Sequence, residues 1–182
     1  MSDKSVEDRR VQKTKMALWS ALLDLIKEEE WADINVRGIC EEADVARSTF
    51  YLHFQNKLEL LDYGFASGEA HLSDTLKSMD SEHSLEALLS WLVDHLYSEH
   101  VQFQQFKGFA NPAIFDRFKK SIANLLREQL LRQYPNMTNH QCLFIAGGIF
   151  AILEDWLFNN AEIAKNAMVA DLLHDIEAFL DN

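Results

Sequence analysis

Positions 45–54 read VARSTFYLHF, and this stretch decides the fold that the sequence predicts. Its spacing is typical of a short helix, because Phe50 and Phe54 recur four residues apart and therefore share one face. Arg47, Ser48 and Thr49 directly precede the first phenylalanine and lie near the start of the helix. Such a helix is suited to bind a polar surface while its aromatic face packs on a core.

The residues before this stretch predict a second short helix and a tight turn. Asn35 is placed as an N-cap, whose side-chain oxygen accepts from a free backbone N–H, and a helix follows over 36–43. Asp44 is placed to end that helix in a left-handed turn, a conformation that Asp tolerates better than most residues. A longer helix is predicted before both, from about Glu7 to Glu29. Together these elements predict a helix-turn-helix.

The helix-turn-helix gives the exposed side chains a predicted role in binding DNA. The second short helix of the motif enters the major groove and presents its N-terminal residues to base edges. Arg47, Ser48 and Thr49 occupy that position, and arginine contacts guanine with two hydrogen bonds while hydroxyls reach bases or phosphates. Three further polar side chains are expected to contact phosphates, namely Tyr51, His53 and Lys57.

Residues 34–61, INVRGICEEADVARSTFYLHFQNKLELL, resemble the DNA-binding signature of TetR/AcrR-type transcriptional regulators. The shared marks are the Ala-x-Val turn, the Thr-Phe-Tyr-x-His-Phe recognition helix and the Asn-x-Lys-x-x-Leu run after it. With the first helix included, the resemblance covers about residues 9–65. It implies a dimeric all-α regulator with a C-terminal effector and dimerisation domain. It also implies that Arg37 lies near the bases and Asn35 near a phosphate.

Some residues depart from the pattern of the resembling family, and two of them lie at the turn before the recognition helix. Asp44 replaces the usual turn glycine and adds a negative charge near the predicted DNA-binding face. Ala46 replaces a common capping serine, which we expect to weaken the start of the recognition helix by roughly 1 kcal/mol. Both changes leave the motif intact, and they leave the operator affinity open.

The composition favours long helices throughout the chain. Its 182 residues are 48% hydrophobic and include only 6 Gly and 2 Pro, fewer breaks than strand-and-turn folds need. We therefore predict an all-α fold, with a three-helix helix-turn-helix domain at residues 1–56 and a helical effector-binding and dimerisation domain at residues 57–182. Further helices are predicted at about 57–79, 85–99, 112–134, 138–159 and 166–180, with a short helix that contains Phe103 and Phe106.

The charge is acidic but unevenly distributed. The formal net charge is −12, yet residues 1–60 carry nine Lys and Arg against twelve Asp and Glu, while the remainder carries eight against seventeen. A basic face for DNA therefore remains compatible with the composition. Apolar runs are shorter than the roughly 18 residues that a membrane span needs. Cys40 and Cys142 lie in apolar helical patterns and are predicted to be buried thiols, so we expect a cytoplasmic protein.

Aromatic residues in the C-terminal domain suggest where a small molecule binds. Trp91, Tyr97, Phe103 and Phe106 are predicted to line an effector pocket between helices. The alternative is that these side chains are ordinary core residues. The sequence does not identify the effector beyond an apolar or aromatic compound.

The run CLFIAGGIFAILEDWLF at 142–158 predicts the dimer interface. Its glycine pair weakens the helix but lets a second helix approach closely, and in the resembling family the last two helices form a four-helix bundle with their copies in the second subunit. Burial within one subunit is the alternative. The predicted interface residues are Ile145, Gly148, Ile149, Ile152 and Trp156.

These observations favour a one-component regulator, expected to be a repressor that binds an inverted-repeat operator as a homodimer and is released by its effector. An activator or co-activator of the same fold is the first alternative. A dimeric protein-interaction scaffold that no longer binds DNA is the second. His95 and Glu99 share a helix face without a third ligand, so we expect no metal site, no cofactor and no enzymatic activity.

Overall fold

The computed structural model describes residues 3–103, 112–159 and 164–180, and the part of the chain that it describes is helical without strands. This confirms the predicted all-α fold. In chain order, the described helices are α1 (Asp3–Glu28), α2 (Val36–Glu42), α3 (Arg47–His53), α4 (Lys57–Lys77), α5 (Ser81–Phe103), α6 (Pro112–Gln133), α7 (Asn139–Asn159) and α8 (Lys165–Leu180).

The predicted helix signals are confirmed at three points. The Asn35 side chain accepts from the Gly38 backbone N–H at 3.1 Å and caps α2. Asp44 has a φ of 51°, the left-handed conformation predicted for the turn. The helix predicted from residue 138 begins with a capping box, since the Gln141 N–H donates to Thr138 Oγ1 at 3.2 Å and the Thr138 N–H donates to Gln141 Oε1 at 2.8 Å.

The prediction for α5 was wrong at both ends. The helix was predicted to begin at about residue 85, but α5 begins at Ser81 because Asp80 accepts from the His83 N–H at 2.9 Å and caps the first turn. The helix also continues past Glu99 to Phe103. The predicted short helix around Phe106 lies outside the described residues.

The chain divides into two compact units. The first contains Met1–Gly68 and Gln105–Phe118, and the second contains Glu69–Gln104 and Lys119–Asn182. The boundaries fall inside α4 and α6, so each of these helices contributes to both units. The sequence analysis divided the chain after residue 56 by function, into a DNA-binding domain and an effector-binding and dimerisation domain. That division stays a prediction.

The first unit has a continuous apolar core that includes a residue from α6. Leu18 and Leu22 of α1, Ile39 of α2 and Phe50 of α3 are completely buried, and Ile114 of α6 joins them at 1% exposure. Arg117 of α6 forms an ion pair with Asp62 of α4. The three helices of the helix-turn-helix are therefore completed by parts of α4 and α6.

The second unit is arranged around α5, which packs against α7 and α8. Leu88, Leu89 and Leu92 of α5 are fully buried, and Cys142 of α7 is buried beside this core as predicted. Arg132 donates to the backbone carbonyls of Leu76 and Met79 and thereby caps the C-terminal end of α4. None of the described helices is long and apolar enough to span a membrane.

Candidate nucleic-acid interface

Helix α3 is fixed to the first unit by its two phenylalanines. Phe50 is 0% exposed and Phe54 is 3% exposed, and their rings lie 5.7 Å apart in the core of the unit. The Val45 N–H donates to the Cys40 carbonyl at 2.9 Å, which closes the turn between α2 and α3. This packing confirms the helix-turn-helix and determines which side of α3 faces outward.

The outward side of α3 carries the predicted base-contacting residues. Arg47 and Ser48 are exposed and Thr49 is half-buried. Tyr51 is 53% exposed, and its ring packs edge-on against Phe50. The structure therefore brings Arg47, Ser48, Thr49 and Tyr51 together at one surface, although their contacts with DNA stay a prediction.

Leu52 also belongs to this surface, and the sequence analysis did not select it. Its side chain is 80% exposed. The signal was present in the helical period, because Leu52 is two residues away from both Phe50 and Phe54 and therefore points away from both. An outward leucine near the C-terminal end of a DNA-binding helix is a candidate apolar contact.

Arg37 lies on α2 beside this surface, and its charge is paired within its own helix. Its Nε donates to Glu41 Oε1 at 2.7 Å, with both side chains exposed. That hydrogen bond raises the pKa of Arg37 above its ordinary value. A shallow depression of about 590 Å³ between α2 and α3 is lined by Arg37, Cys40, Glu41, Asp44, Val45, Ala46 and Arg47. The surface predicted to contact bases therefore carries two arginines, Arg37 and Arg47, beside two carboxylates, Glu41 and Asp44.

Asn35 performs the capping part of its predicted role. Besides accepting from Gly38, it donates from Nδ2 to the Asp33 carbonyl at 3.2 Å. These bonds hold the exposed loop that leads into α2. A contact between Asn35 and a phosphate stays a prediction.

Lys57 differs from its prediction. It begins α4, where an anion would be favoured, but its ammonium faces inward and donates to the backbone carbonyls of Trp31 and Ile34. The ammonium also lies 4.4 Å from the centre of the Trp31 ring. Burial lowers the pKa of Lys57. These contacts revise the phosphate assignment of Lys57 to a positioning role, in which it ties the loop after α1 to the start of α4.

His53 is also less available than expected. It ends α3 half-buried, with its ring 6.4 Å from the Phe54 ring in an edge-on arrangement. Asn56 follows and accepts from the Leu58 and Glu59 N–H groups at 2.9 and 3.0 Å, so it caps α4. The link between α3 and α4 is therefore held by local hydrogen bonds on both sides of Lys57.

The predicted effector-pocket residues do not form one described cluster. Trp91 is 38% exposed and stacks on His95, with ring centres 4.9 Å apart, whereas Tyr97 stacks on Trp156 at 5.7 Å. The side chains of Phe103, Phe106 and Glu99 lie outside the described residues. A separate cleft of about 520 Å³ is polar, because it is lined by Glu69, Asn124, Arg127, Glu128, Leu131 and Arg132. Within the described residues, no three His, Cys, Asp or Glu side chains are grouped to hold a metal ion.

The predicted dimer stripe needs correction. Ile145 is 6%, Ile149 is 3% and Trp156 is 1% exposed, because these three side chains pack in the core of the second unit. Gly148 and Ile152 do face outward; Ile152 is 38% exposed, and a Cβ added at Gly148 would meet no described atom within 4 Å. Phe144, four residues before Gly148, is exposed on the same face, and its ring stacks on that of the exposed Phe179 with ring centres 5.2 Å apart.

Comparison with known proteins finds the same motif. Residues 18–63 match the family described as bacterial regulatory proteins, tetR family. The uncharacterized HTH-type transcriptional regulator YxbF of Bacillus subtilis (strain 168) is 38% identical over 82 residues, 43% of this chain and 22% of YxbF. DhaS of Lactococcus lactis subsp. lactis (strain IL1403), an HTH-type dhaKLM operon transcriptional activator, is 30% identical over 120 residues, 59% of this chain and 64% of DhaS. The matched part thus spans less than two thirds of the length of either relative.

A solved structure extends the likeness to the whole fold. The TetR transcriptional regulator from Streptococcus agalactiae 2603V shares a TM-score of 0.65 and 22% sequence identity with this chain. The superposition covers 96% of this chain and 99% of that one. At this identity the likeness concerns the fold, and it includes the C-terminal helices that the sequence motif does not reach.

Proposed function

Because the chain belongs, through its N-terminal domain, to the tetR family of bacterial regulatory proteins, we propose that it binds a specific double-stranded DNA operator and regulates the genes beside it. The observation that carries this proposal is the orientation of α3, which buries Phe50 and Phe54 and turns Arg47, Ser48 and Tyr51 outward. Base edges in the major groove are read by side chains presented in this way. We assign operator binding to residues 1–56.

The distribution of charge in the first unit supports binding to phosphates, although the formal net charge of the chain is −12. Arg9, Arg10 and Lys13 are exposed on α1. Lys15 lies over the Phe54 and Tyr63 rings, with its ammonium 5.7 and 5.1 Å from their centres. A local cluster of cations attracts the phosphate backbone over about a Debye length, so the net charge of the whole chain matters less.

We further propose that the active species is a homodimer on an inverted-repeat operator, with dimerisation assigned to residues 57–182. One short recognition helix makes too few base contacts to identify a site in a genome, and two-fold symmetry doubles them. The exposed face of α7 with Phe144, Gly148 and Ile152 supports this assignment, because large apolar side chains in a group mark protein interfaces.

The direction of regulation has two candidates. Repression follows when a bound dimer occludes a promoter, and this is the outcome that the sequence favoured. Activation is the second candidate, and the likeness to DhaS, described as a transcriptional activator, favours it. A reporter gene behind the operator separates the two, since expression falls in the presence of a repressor and rises in the presence of an activator.

An effector is part of the same proposal. We place a small apolar or aromatic compound in the second unit, where it shifts the population between dimers that fit the operator and dimers that do not. The aromatic pair of Tyr97 and Trp156 supports an apolar site there, whereas the cleft beside Arg127 is too polar for it. Effector binding is measured as an increase in the melting temperature of the protein together with a loss of operator affinity.

The proposal is tested by selecting binding sites from a library of random double-stranded DNA with the purified full chain. Enrichment of an inverted repeat, bound more tightly than its half-site in fluorescence anisotropy, supports a dimeric regulator. Absence of any enriched sequence at low salt contradicts the proposal and favours the protein-interaction scaffold.

A further inference from the structure

Leu52 is the most exposed of the large apolar side chains on the described surface, at 80%. A single exposed leucine is ordinary on a protein surface, so its position has to carry the argument. Leu52 lies in α3, the helix whose outward side presents Arg47 and Ser48. It is therefore an apolar group placed among the side chains that the proposed function directs toward base edges.

The helical geometry puts Leu52 at the centre of the outward side. Successive residues of an α-helix turn by about 100°, so Leu52 is displaced by about 200° from Phe50 and from Phe54, nearly opposite both. Ser48 precedes it by four residues and is its neighbour on the same face. Because the phenylalanines fix α3 to the core, Leu52 points away from the protein beside Ser48 and Thr49, its neighbours one helical turn earlier.

The chemistry of the major groove restricts what such a leucine binds. Adenine, guanine and cytosine present hydrogen-bonding groups there, while thymine alone adds an apolar C5-methyl group. A leucine pressed against unpaired donors or acceptors would remove them from water without compensation. Contact with a methyl group avoids that cost and buries apolar surface on both sides.

We propose that Leu52 is a specificity-determining residue that selects a thymine in each half of the operator by packing on its C5-methyl group. The proposal rests on the proposed function, because it requires α3 to enter the major groove. Leu52 thereby adds an apolar contact, to the C5-methyl group of thymine, to the polar base contacts proposed for the other residues of α3.

The experiment removes the methyl group without changing the base pairing. In the operator selected by wild-type protein, each thymine and its symmetry mate are replaced in turn by deoxyuridine, which lacks only the C5-methyl group. Binding is measured by fluorescence anisotropy at one fixed salt concentration. We expect one symmetric thymine pair whose replacement weakens binding, by roughly fourfold for each methyl group removed.

The Leu52→Ala variant then tests whether this residue reads the methyl group. It should bind the thymine and deoxyuridine operators with equal affinity, while its helix content and melting temperature match wild type because Leu52 is exposed. Leu58→Ala is the matched control, an exposed leucine in α4 outside the recognition helix, and it should keep the sensitivity to deoxyuridine.

Two further outcomes would contradict the inference, and they distinguish a wrong role for Leu52 from a wrong proposed function. If an operator is selected but every deoxyuridine substitution is neutral, or if Leu52→Ala keeps the sensitivity, the role of Leu52 is wrong and the regulator assignment stands. If the library yields no operator, the proposed function fails and the inference fails with it.

Discussion

The indole ring of Trp19 lies directly on the backbone of Gly64. A Cβ atom added to Gly64 would be 2.2 Å from Cε3 of the Trp19 ring, closer than side-chain atoms approach in proteins. Trp19 is in α1 and Gly64 is in α4, so this contact lets the two helices pack at close range inside the first unit. The ring is further fixed edge-on against Phe65, with ring centres 5.9 Å apart.

Gly64→Ala should therefore destabilise the first unit although alanine favours helices. Overfilling a packed contact costs about 1–3 kcal/mol, which outweighs the gain of about 1 kcal/mol from replacing glycine in a helix. Gly68→Ala is the control in the same helix, because a Cβ there meets no described atom within 4 Å. Urea unfolding should show a lower midpoint for Gly64→Ala and an equal or higher midpoint for Gly68→Ala. Equal midpoints for both variants would show that the Trp19 ring moves aside freely.

The Glu41 carboxylate should limit operator binding because it holds the Arg37 guanidinium. Glu41→Gln removes that partner and frees Arg37 for DNA, so operator affinity should rise and log K should fall more steeply with log salt, by roughly 1 for each added phosphate contact. Glu42→Gln removes the same charge one residue later and leaves the pair intact. Identical salt slopes for the two variants would mean that Arg37 makes no new contact with DNA.

Lys57→Met should reduce stability more than it reduces the salt dependence of DNA binding. The methionine leaves the partly buried carbonyls of Trp31 and Ile34 without their donor, and each lost hydrogen bond costs about 0.5–1.5 kcal/mol. Lys57→Arg keeps a cation at the start of α4 and should recover part of the loss. The measurements are urea unfolding and anisotropy at several salt concentrations. Unchanged stability with a smaller salt slope would restore Lys57 as a phosphate contact.

Gly148→Leu should dissociate the proposed dimer without unfolding the protomer. The added side chain has open space around it in the single chain but would overfill a close helix contact between two copies. Gly68→Leu is the control, since it adds the same side chain at another open glycine outside α7. Sedimentation velocity should give a dimer for wild type and for Gly68→Leu, and a monomer for Gly148→Leu with unchanged helix content. A monomeric wild type, or a dimeric Gly148→Leu, would contradict the assignment of this face.

The sequence predicted those parts of the site that depend on local patterns. Asn35 and Asp44 act within a few residues of themselves, so their conformations are readable from neighbours in the chain. The amphipathic period also identified Phe50 and Phe54 as the buried side of α3. Leu52 was overlooked because an outward leucine has no polar signal, although the same period determines its direction.

Long-range contacts were not predictable in this way. The role of Lys57 depends on two carbonyls that lie 23 and 26 residues earlier in the chain, and no local pattern indicates that they come within reach. The prediction that the apolar stripe of α7 forms the dimer interface was wrong for three residues for a related reason. An apolar period shows which residues share a face, but it does not show what covers that face. Ile145 and Ile149 belong to the core of their own unit, and only the outward residues of the same helix remain for a partner.

The contribution of α6 to the first unit has a consequence for protein engineering. Ile114 completes the apolar core of the first unit, and Arg117 forms an ion pair with Asp62 of the same unit. Both residues lie in α6, some fifty residues after the chain leaves this unit within α4. A fusion that transplants only the first 68 residues would therefore expose the apolar site that Ile114 fills and leave Asp62 without Arg117. A chimeric regulator that keeps its native specificity should carry the first turns of α6 as well, joined through a receiving scaffold that returns the chain to the same place.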